Sequence, residues 1–239
     1  MMNKESADRA MFCAILSGDI YAFRSSLEAG ADINAIDDET GLTAIGLAVA
    51  SGRELLKIVL DSGANPNQQT AEEMPPLLQA TMARQFALVE MLVSRGASVD
   101  FESCENSSSL HYAADFGEKE ILAGLLKSMR NKSIDCFDSV GKTPFMCAVE
   151  REHFDVADFL LDEGANIDAC DRNALGYTAL HNAVLIMKEP QVKYLCDRGA
   201  DTLIRDIFGK SAYAVAHEHQ HEGCTRICEI VNKASEKQD

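Results

Sequence analysis

The chain has 239 residues, with 22 Lys and Arg set against 38 Asp and Glu, a formal net charge of −16. That balance excludes a surface built to neutralise nucleic-acid phosphates or to adhere to an anionic membrane. Hydrophobic residues are 46% and charged residues 25%, so the chain reads as a soluble folded protein; with no Trp and only 6% aromatics, its core must be aliphatic and Ala-rich.

At the N-terminus Glu5, Asp8 and Arg9 interrupt any apolar run that could serve as a secretory signal. No stretch approaches the ~18 apolar residues of a membrane span. Eight Cys stand at 13, 104, 136, 147, 170, 196, 224 and 228, none in a Cys-x-x-Cys pair. They predict free, buried thiols in a reducing compartment, the cytoplasm or the nucleus.

Further along, one phrase recurs: an apolar residue, two polar or small ones, then Gly-Ala and a polar residue. Its glycines are Gly30, Gly63, Gly96, Gly164 and Gly199, so the steps are 33, 33, 68 and 35. The double step predicts a degenerate copy at Leu125 to Asn131. A second phrase keeps the same beat about twenty-one residues upstream. It opens at Thr43, Pro75, Ser108, Thr143, Thr178 and Ser211, and Arg9 to Ala14 is a worn first copy. Thr143-Pro144-Phe145 and Thr178-Ala179-Leu180-His181 carry it most clearly. The pattern resembles the ankyrin repeat, with its period of about 33 and its Thr-Pro-Leu-His-x-Ala signature. The resemblance implies an all-α solenoid of stacked helix-turn-helix units with β-hairpin or turn fingers. It would form one domain over residues 1–239, with repeats at 5–36, 37–69, 70–102, 103–137, 138–171, 172–205 and 206–235 and a frayed tail at 236–239.

The residues explain the shape. Asp38 with Gly41, Asp138 with Gly141, Asn173 with Gly176 and Asp206 with Gly209 are turn pairs. The following Thr or Ser can cap a helix, and Pro144 suits a first helical position. The glycine of Gly-Ala should end the second helix in a left-handed cap. Lys4, Glu5, Asp8 and Arg9 give the first repeat a polar outer face, and Ile227, Cys228 and Val231 give the last helix an apolar stripe that also takes in Cys224.

Several copies depart from the pattern. Copy two is one residue short between Thr43 and Gly63. Copy three has Pro75-Pro76 after Glu72-Glu73-Met74, which predicts an irregular finger. Copy four should carry a longer basic loop exposing Arg130 and Lys132. Copies five and six lose the inter-helix glycine to Glu152 and Met187, and Pro190 should restart the second helix of copy six.

Catalytic signatures are absent: no nucleophile elbow, phosphate loop, dinucleotide-binding glycine motif or zinc-protease motif. The chain is therefore read as a non-enzyme needing no cofactor. The one metal-like spacing is His217 and His221 with Cys224, set against ordinary packing at a solvated turn, which is the preferred reading. Cys104 would be an exposed thiol at a finger tip.

The resemblance also implies how the chain works: as a protein-interaction module, an adaptor, scaffold or inhibitor, binding through finger tips and the inner face of each first helix. His111 and His181 would bond loop backbone there rather than act as bases. Read onto those positions, Glu39, Glu72 and Glu105 form an acidic column in the early repeats. Phe116 stands on the inner helix of repeat four. Val140, Leu175, Tyr177, Leu185, Ile186, Ile207 and Phe208 form an apolar set in the late ones. The expectation is a two-part groove for a protein or peptide with a basic stretch beside an apolar anchor, the chain being a monomer. The charge is lopsided in the same sense: residues 1–120 hold 19 acids and 8 bases, residues 121–239 hold 19 and 14. The alternatives are an assembly chaperone or regulatory subunit of a larger complex, or a substrate-recruiting subunit of an enzyme complex.

Overall fold

The computed structural model describes residues 3–71, 73–99, 108–129, 133–170, 175–218 and 225–236. Among these residues the protein is all helix and turn, with fourteen helices in seven pairs. They are α1 (Lys4–Ser17) with α2 (Ile20–Glu28), α3 (Ala44–Ser51) with α4 (Arg53–Asp61), and α5 (Pro76–Met82) with α6 (Phe86–Ser94). Then follow α7 (Ser109–Asp115) with α8 (Lys119–Ser128) and α9 (Pro144–Glu150) with α10 (Phe154–Asp162). The last pairs are α11 (Ala179–Leu185) with α12 (Glu189–Asp197) and α13 (Ala212–Glu218) with α14 (Thr225–Ser235). Two of the fingers, those of repeats two and seven, are turns closed by a single antiparallel bridge, Ile36 to Thr43 and Arg205 to Ser211.

The chain divides into two compact units, Met1–Cys104 with Ala123–Arg130, and Glu105–Leu122 with Asn131–Asp239. In the first, α1 packs on α2 and α3, α3 on α4 and α5, and α6 on both α4 and α5. In the second, α7 packs on α9, α9 on α10 and α11, α11 on α12 and α13, and α14 on α12 and α13. Each hairpin thus buries its apolar face on its neighbours, which is what makes a lone repeat unstable and a stack stable.

The core is aliphatic, as composition requires. Leu56, Leu78, Leu88 and Leu92 are fully buried in the first unit; Leu160, Leu180 and Leu195 are so in the second. The alanine that ends the six-residue signature recurs as Ala48, Ala80, Ala113, Ala148, Ala183 and Ala216, all buried. A methyl there lets adjacent first helices approach closely.

Helix starts follow the capping chemistry. Thr43 Oγ1 accepts from the Gly46 amide at 3.1 Å, Thr143 from Met146 at 3.3 Å, Thr178 from His181 at 3.3 Å and Ser211 from Ala214 at 3.2 Å. Pro144 opens α9 and Pro190 is the second residue of α12. The Gly-Ala glycines all adopt positive φ, between 84° at Gly199 and 99° at Gly164.

Between repeats runs a polar ladder that the sequence phrases only hint at. Two residues past the Gly-Ala-polar phrase, an Asn or Asp accepts the amide of the equivalent polar residue one repeat on. The rungs are Asn34 to Asn65 (2.8 Å), Asn67 to Ser98 (2.7 Å), Asp135 to Asn166 (3.1 Å) and Asp168 to Asp201 (2.9 Å).

Some expectations are corrected. The turn of repeat two is anchored by Asp37, not Asp38: the Asp37 carbonyl accepts from Gly41 at 2.7 Å and its carboxylate accepts from Thr40. That loop is one residue longer than the Asp138 and Asp206 turns. The thiols are less buried than predicted. Cys147 is buried, Cys13 is exposed, and Cys136, Cys170, Cys196 and Cys228 are half-buried. Copy two absorbs its missing residue at Gly52, which caps the end of α3 and the start of α4 at once, with φ 110° and ψ −174°. Glu152 and Met187 do adopt the left-handed conformation of the glycines they replace, and Arg84 does the same in copy three. Asn173, Arg130, Lys132, Cys104 and Cys224 lie outside the described residues.

Candidate functional site

The fingers are built from carboxylates turned inward. In repeat five, Asp138 Oδ1 accepts the amides of Val140 (3.0 Å) and Lys142 (2.8 Å). In repeat seven, Asp206 Oδ1 accepts those of Phe208 (2.8 Å) and Lys210 (2.9 Å). With the donors satisfied inside the turn, the tip side chains have only solvent to face. Val140 is 63% exposed and Phe208 64%.

Imidazoles fix the roots of these fingers. The Ser108 amide donates to His111 Nδ1 at 3.1 Å, and His111 Nε2 meets the Lys142 carbonyl at 3.0 Å. Thr178 and His181 repeat this one step on: 3.2 Å to Nδ1, and 3.2 Å from Nε2 to the Lys210 carbonyl. With Nδ1 accepting, Nε2 carries the hydrogen and donates to the carbonyl. Burial holds the His181 pKa below its usual value, partly offset by the bond to the Lys210 carbonyl, which keeps the ring neutral for that double role.

Repeat two has Gly46 where His111 and His181 stand, and sequence reasoning missed what fills the place. Glu73 reaches from the finger of repeat three, and its Oε1 accepts the Thr43 amide at 2.9 Å. Its other oxygen accepts the Thr70 amide at 3.3 Å. A Cβ on residue 46 would lie 2.4 Å from that carboxylate. The glycine therefore makes room for a carboxylate in trans that takes the imidazole's donor. The signal in the sequence was the pair itself, a missing His and an extra Glu.

The finger of repeat six leans on that of repeat seven. The Ile207 amide donates to the Leu175 carbonyl at 3.2 Å. Gly176, at φ 69°, would place a Cβ 3.2 Å from the Ile207 nitrogen, so a side chain there would be strained in its backbone and would crowd the neighbouring finger. Leu175 is 46% and Ile207 53% exposed. Tyr177 is half-buried and stacks on His181 at 5.8 Å.

On the inner helices, three residues at the end of α11 form an exposed apolar turn: Leu185, Ile186 and Met187. Beside α9 and α11 lies a dimple of about 20 Å³ lined by Met146, Val149, Ala179, Ala183 and Ile186 together with the polar Glu150, Asn182 and Gln191. Phe116 is half-buried against Tyr112, 6.2 Å between ring centres. Three ion pairs lie nearby, Lys142 with Glu150, Lys210 with Glu218, and Arg151 with Asp115 at 2.7 Å, and Arg205 donates to the Gly209 carbonyl at 2.6 Å.

The late-repeat apolar residues thus all belong to the second unit, and all but Tyr177 are exposed. The acidic column has a different standing. Glu39 is exposed but pairs with Arg9 of α1. Glu72 and Glu105 lie outside the described residues. Of the metal-like set, His217 is engaged with its own helix, its Nδ1 2.8 Å from the Tyr213 carbonyl and its ring 4.3 Å from that of Tyr213. His221 and Cys224 lie outside the described residues, and no metal-holding cluster occurs among the described ones. The buried Cys147 thiol is pushed up to about 12 by desolvation, which removes it as a nucleophile at neutral pH.

Comparison with known proteins adds the family. A family model described as ankyrin repeats (3 copies) matches residues 10–103, 46–138, 77–171 and 110–206. The chain is 31% identical over 159 residues to a transient receptor potential cation channel subfamily A member 1 homolog of Caenorhabditis elegans, covering 66% of this chain and 13% of that protein. It is 26% identical over 233 residues to the putative E3 ubiquitin-protein ligase XBAT31 of Arabidopsis thaliana, covering 91% of this chain and 51% of that protein. The chain thus spans from about a tenth to about half the length of such relatives. Among solved structures, the human ASB11 ankyrin repeat domain superposes with a TM-score of 0.70 at 25% identity, covering 94% of this chain and 96% of that one.

Proposed function

The chain belongs to the ankyrin-repeat family, and from that premise we propose that it binds a protein or peptide through the finger tips and inner-helix ends of repeats five to seven. The observation that carries this reading is the exposure of Val140, Leu175, Ile186, Ile207 and Phe208 on one unit, with the Val140 and Phe208 turns held by carboxylate-to-amide bonds and their roots by imidazole bonds. A rigid support under exposed apolar side chains is the arrangement of a binding hot spot. The role is non-enzymatic, that of an adaptor, scaffold or inhibitor, and a reducing compartment suits it, since none of the six described cysteines is in a disulfide. A second reading, the substrate-recruiting part of an enzyme complex, is supported by the relative named as the putative E3 ubiquitin-protein ligase XBAT31.

The test compares the immobilised full chain with its Leu175→Ser/Phe208→Ser variant in capturing partners from native lysate. Capture should fall by roughly tenfold or more while the far-UV circular dichroism and melting curve stay the same. Capture indifferent to both substitutions would sink the reading.

A further inference from the structure

We infer that the tips of repeats five to seven accept an extended, uncharged protein segment carrying an apolar side chain at every third residue. This rests on the binding role proposed above and adds the chemistry of the partner. Val140, Leu175 and Phe208 occupy one register: each immediately precedes the turn glycine of its finger, Gly141, Gly176 or Gly209. All three are exposed. Neighbouring helices pack about 8–10 Å apart, so each repeat carries its tip forward by about that distance. An extended or polyproline chain rises about 3.1–3.4 Å per residue and covers the same step in three residues. Three tips therefore match three apolar residues spaced by three.

Charge points to a neutral occupant. Although the whole chain carries −16, the charged side chains at these finger roots and inner-helix ends already have partners: Lys142 with Glu150, Lys210 with Glu218, Arg151 with Asp115, the Asp138 and Asp206 carboxylates with the amides of their own turns, and Arg205 with the Gly209 carbonyl. Repeat six, between the two Lys–Glu pairs, replaces both members at once, with Tyr177 where Lys142 and Lys210 stand and Leu185 where Glu150 and Glu218 stand. A charged segment laid here would have to break a pair to gain one. A neutral segment meets an apolar gap flanked by pairs it leaves intact.

Two more observations agree. Met187 holds a left-handed φ of 58°, which is unfavourable for a non-glycine residue, and it ends an exposed apolar turn with Leu185 and Ile186. The dimple beside that turn, about 20 Å³ and lined by Met146, Val149, Ala179, Ala183 and Ile186 together with Glu150, Asn182 and Gln191, has room for one water-sized group, hence for no more than the tip of one side chain. An α-helix, about 10–12 Å across, would need a groove to bury its stripe.

The experiment titrates the full chain into fluorescein-labelled synthetic peptides by anisotropy. One peptide of about nine residues is built of Ser, Gln and Pro with Leu at every third position. A second has the same composition with its Leu residues adjacent, a third replaces two Gln by Lys, and a fourth is an Ala-rich helix former with Leu at every seventh position. The spaced neutral peptide should bind saturably and roughly tenfold or more tighter than the other three. Its affinity should be nearly the same at about 0.01 M and about 0.15 M salt. Leu175→Ser and Phe208→Ser should each weaken it by roughly tenfold with unchanged melting. Equal binding of the clustered peptide, preference for the Lys-bearing or helical one, or no saturable binding would overturn the inference. If the peptides fail while the serine variants still lose partner capture, the extended-segment inference falls and the binding role stands. If capture ignores the serine substitutions, the binding role itself falls.

Discussion

Glu73 shows how a single side chain can stand in for a motif. The Thr43 amide at the start of α3 needs an acceptor, as those of Ser108 and Thr178 do, and a carboxylate from the next repeat supplies it where an imidazole is missing. Replacing Glu73 with Ala leaves that donor unmet and should cost about 1–2 kcal/mol, the range for a part-buried hydrogen bond to a charged group. Adding Gly46→His in the same chain should recover part of the loss, and chemical denaturation of the three variants measures both. His181 makes a second prediction at this scale. Its folded pKa lies below the unfolded value near 6.5, so between those two values the unfolded chain binds more protons. Its contribution to stability is complete above about pH 6.5 and is lost as pH falls through the folded value. Denaturant midpoints measured across mildly acidic pH should therefore drop, and His181→Asn should flatten the drop. Asp135 and Asp168 behave in the opposite sense. Desolvation raises both, so their ionised forms weaken the fold as pH rises above about 3.8. Asn34 and Asn67 fill the same ladder position without charge. Asp135→Asn and Asp168→Asn should thus stabilise at neutral pH by up to about 0.5 kcal/mol each, allowing for solvent screening, with the gain vanishing in acid.

At the scale of elements, the inter-helix turn separates what spacing reveals from what it conceals. Counting from Thr43 to Gly63 shows that copy two is short, but not that one glycine would cap two helices. The loss of glycine at Glu152 and Met187 is visible in sequence because the copies align; Arg84 hides because copy three lacks the other landmarks. All three hold φ between 56° and 64°. Met187→Gly relieves that strain, though it frees the unfolded chain as well, and should raise stability by about 0.5 kcal/mol in a denaturant titration. The caps, by contrast, were fully legible. Thr43, Thr143 and Thr178 are local devices, set by residues three apart, and needed no tertiary information.

At the scale of the whole molecule, acids exceed bases by sixteen, an excess that no number of one-to-one ion pairs reduces. Like-charge repulsion then opposes folding over a distance set by salt. Raising the ionic strength from about 0.01 M to about 0.15 M shortens the screening length from about 30 Å to about 8 Å and should raise the melting temperature. A melting temperature that fell with salt would mean that the surface pairs, Arg9 with Glu39 among them, outweigh the net charge.

The sequence by itself determined the all-helical repeat, its period, its caps and the positions at which tips would fall, because each depends on residues within one copy of the phrase. Tertiary structure alone decided which groups each position meets. It paired Glu39 with Arg9, brought Glu73 to Gly46, placed Asn34 on Asn65, and set the Leu175 finger against Ile207. These contacts join residues about one repeat apart, at donors and acceptors whose distance no count along the chain supplies. The apolar tips were legible as residue types, whereas their exposure followed only once the carboxylates of Asp138 and Asp206 had turned inward and left Val140 and Phe208 facing water.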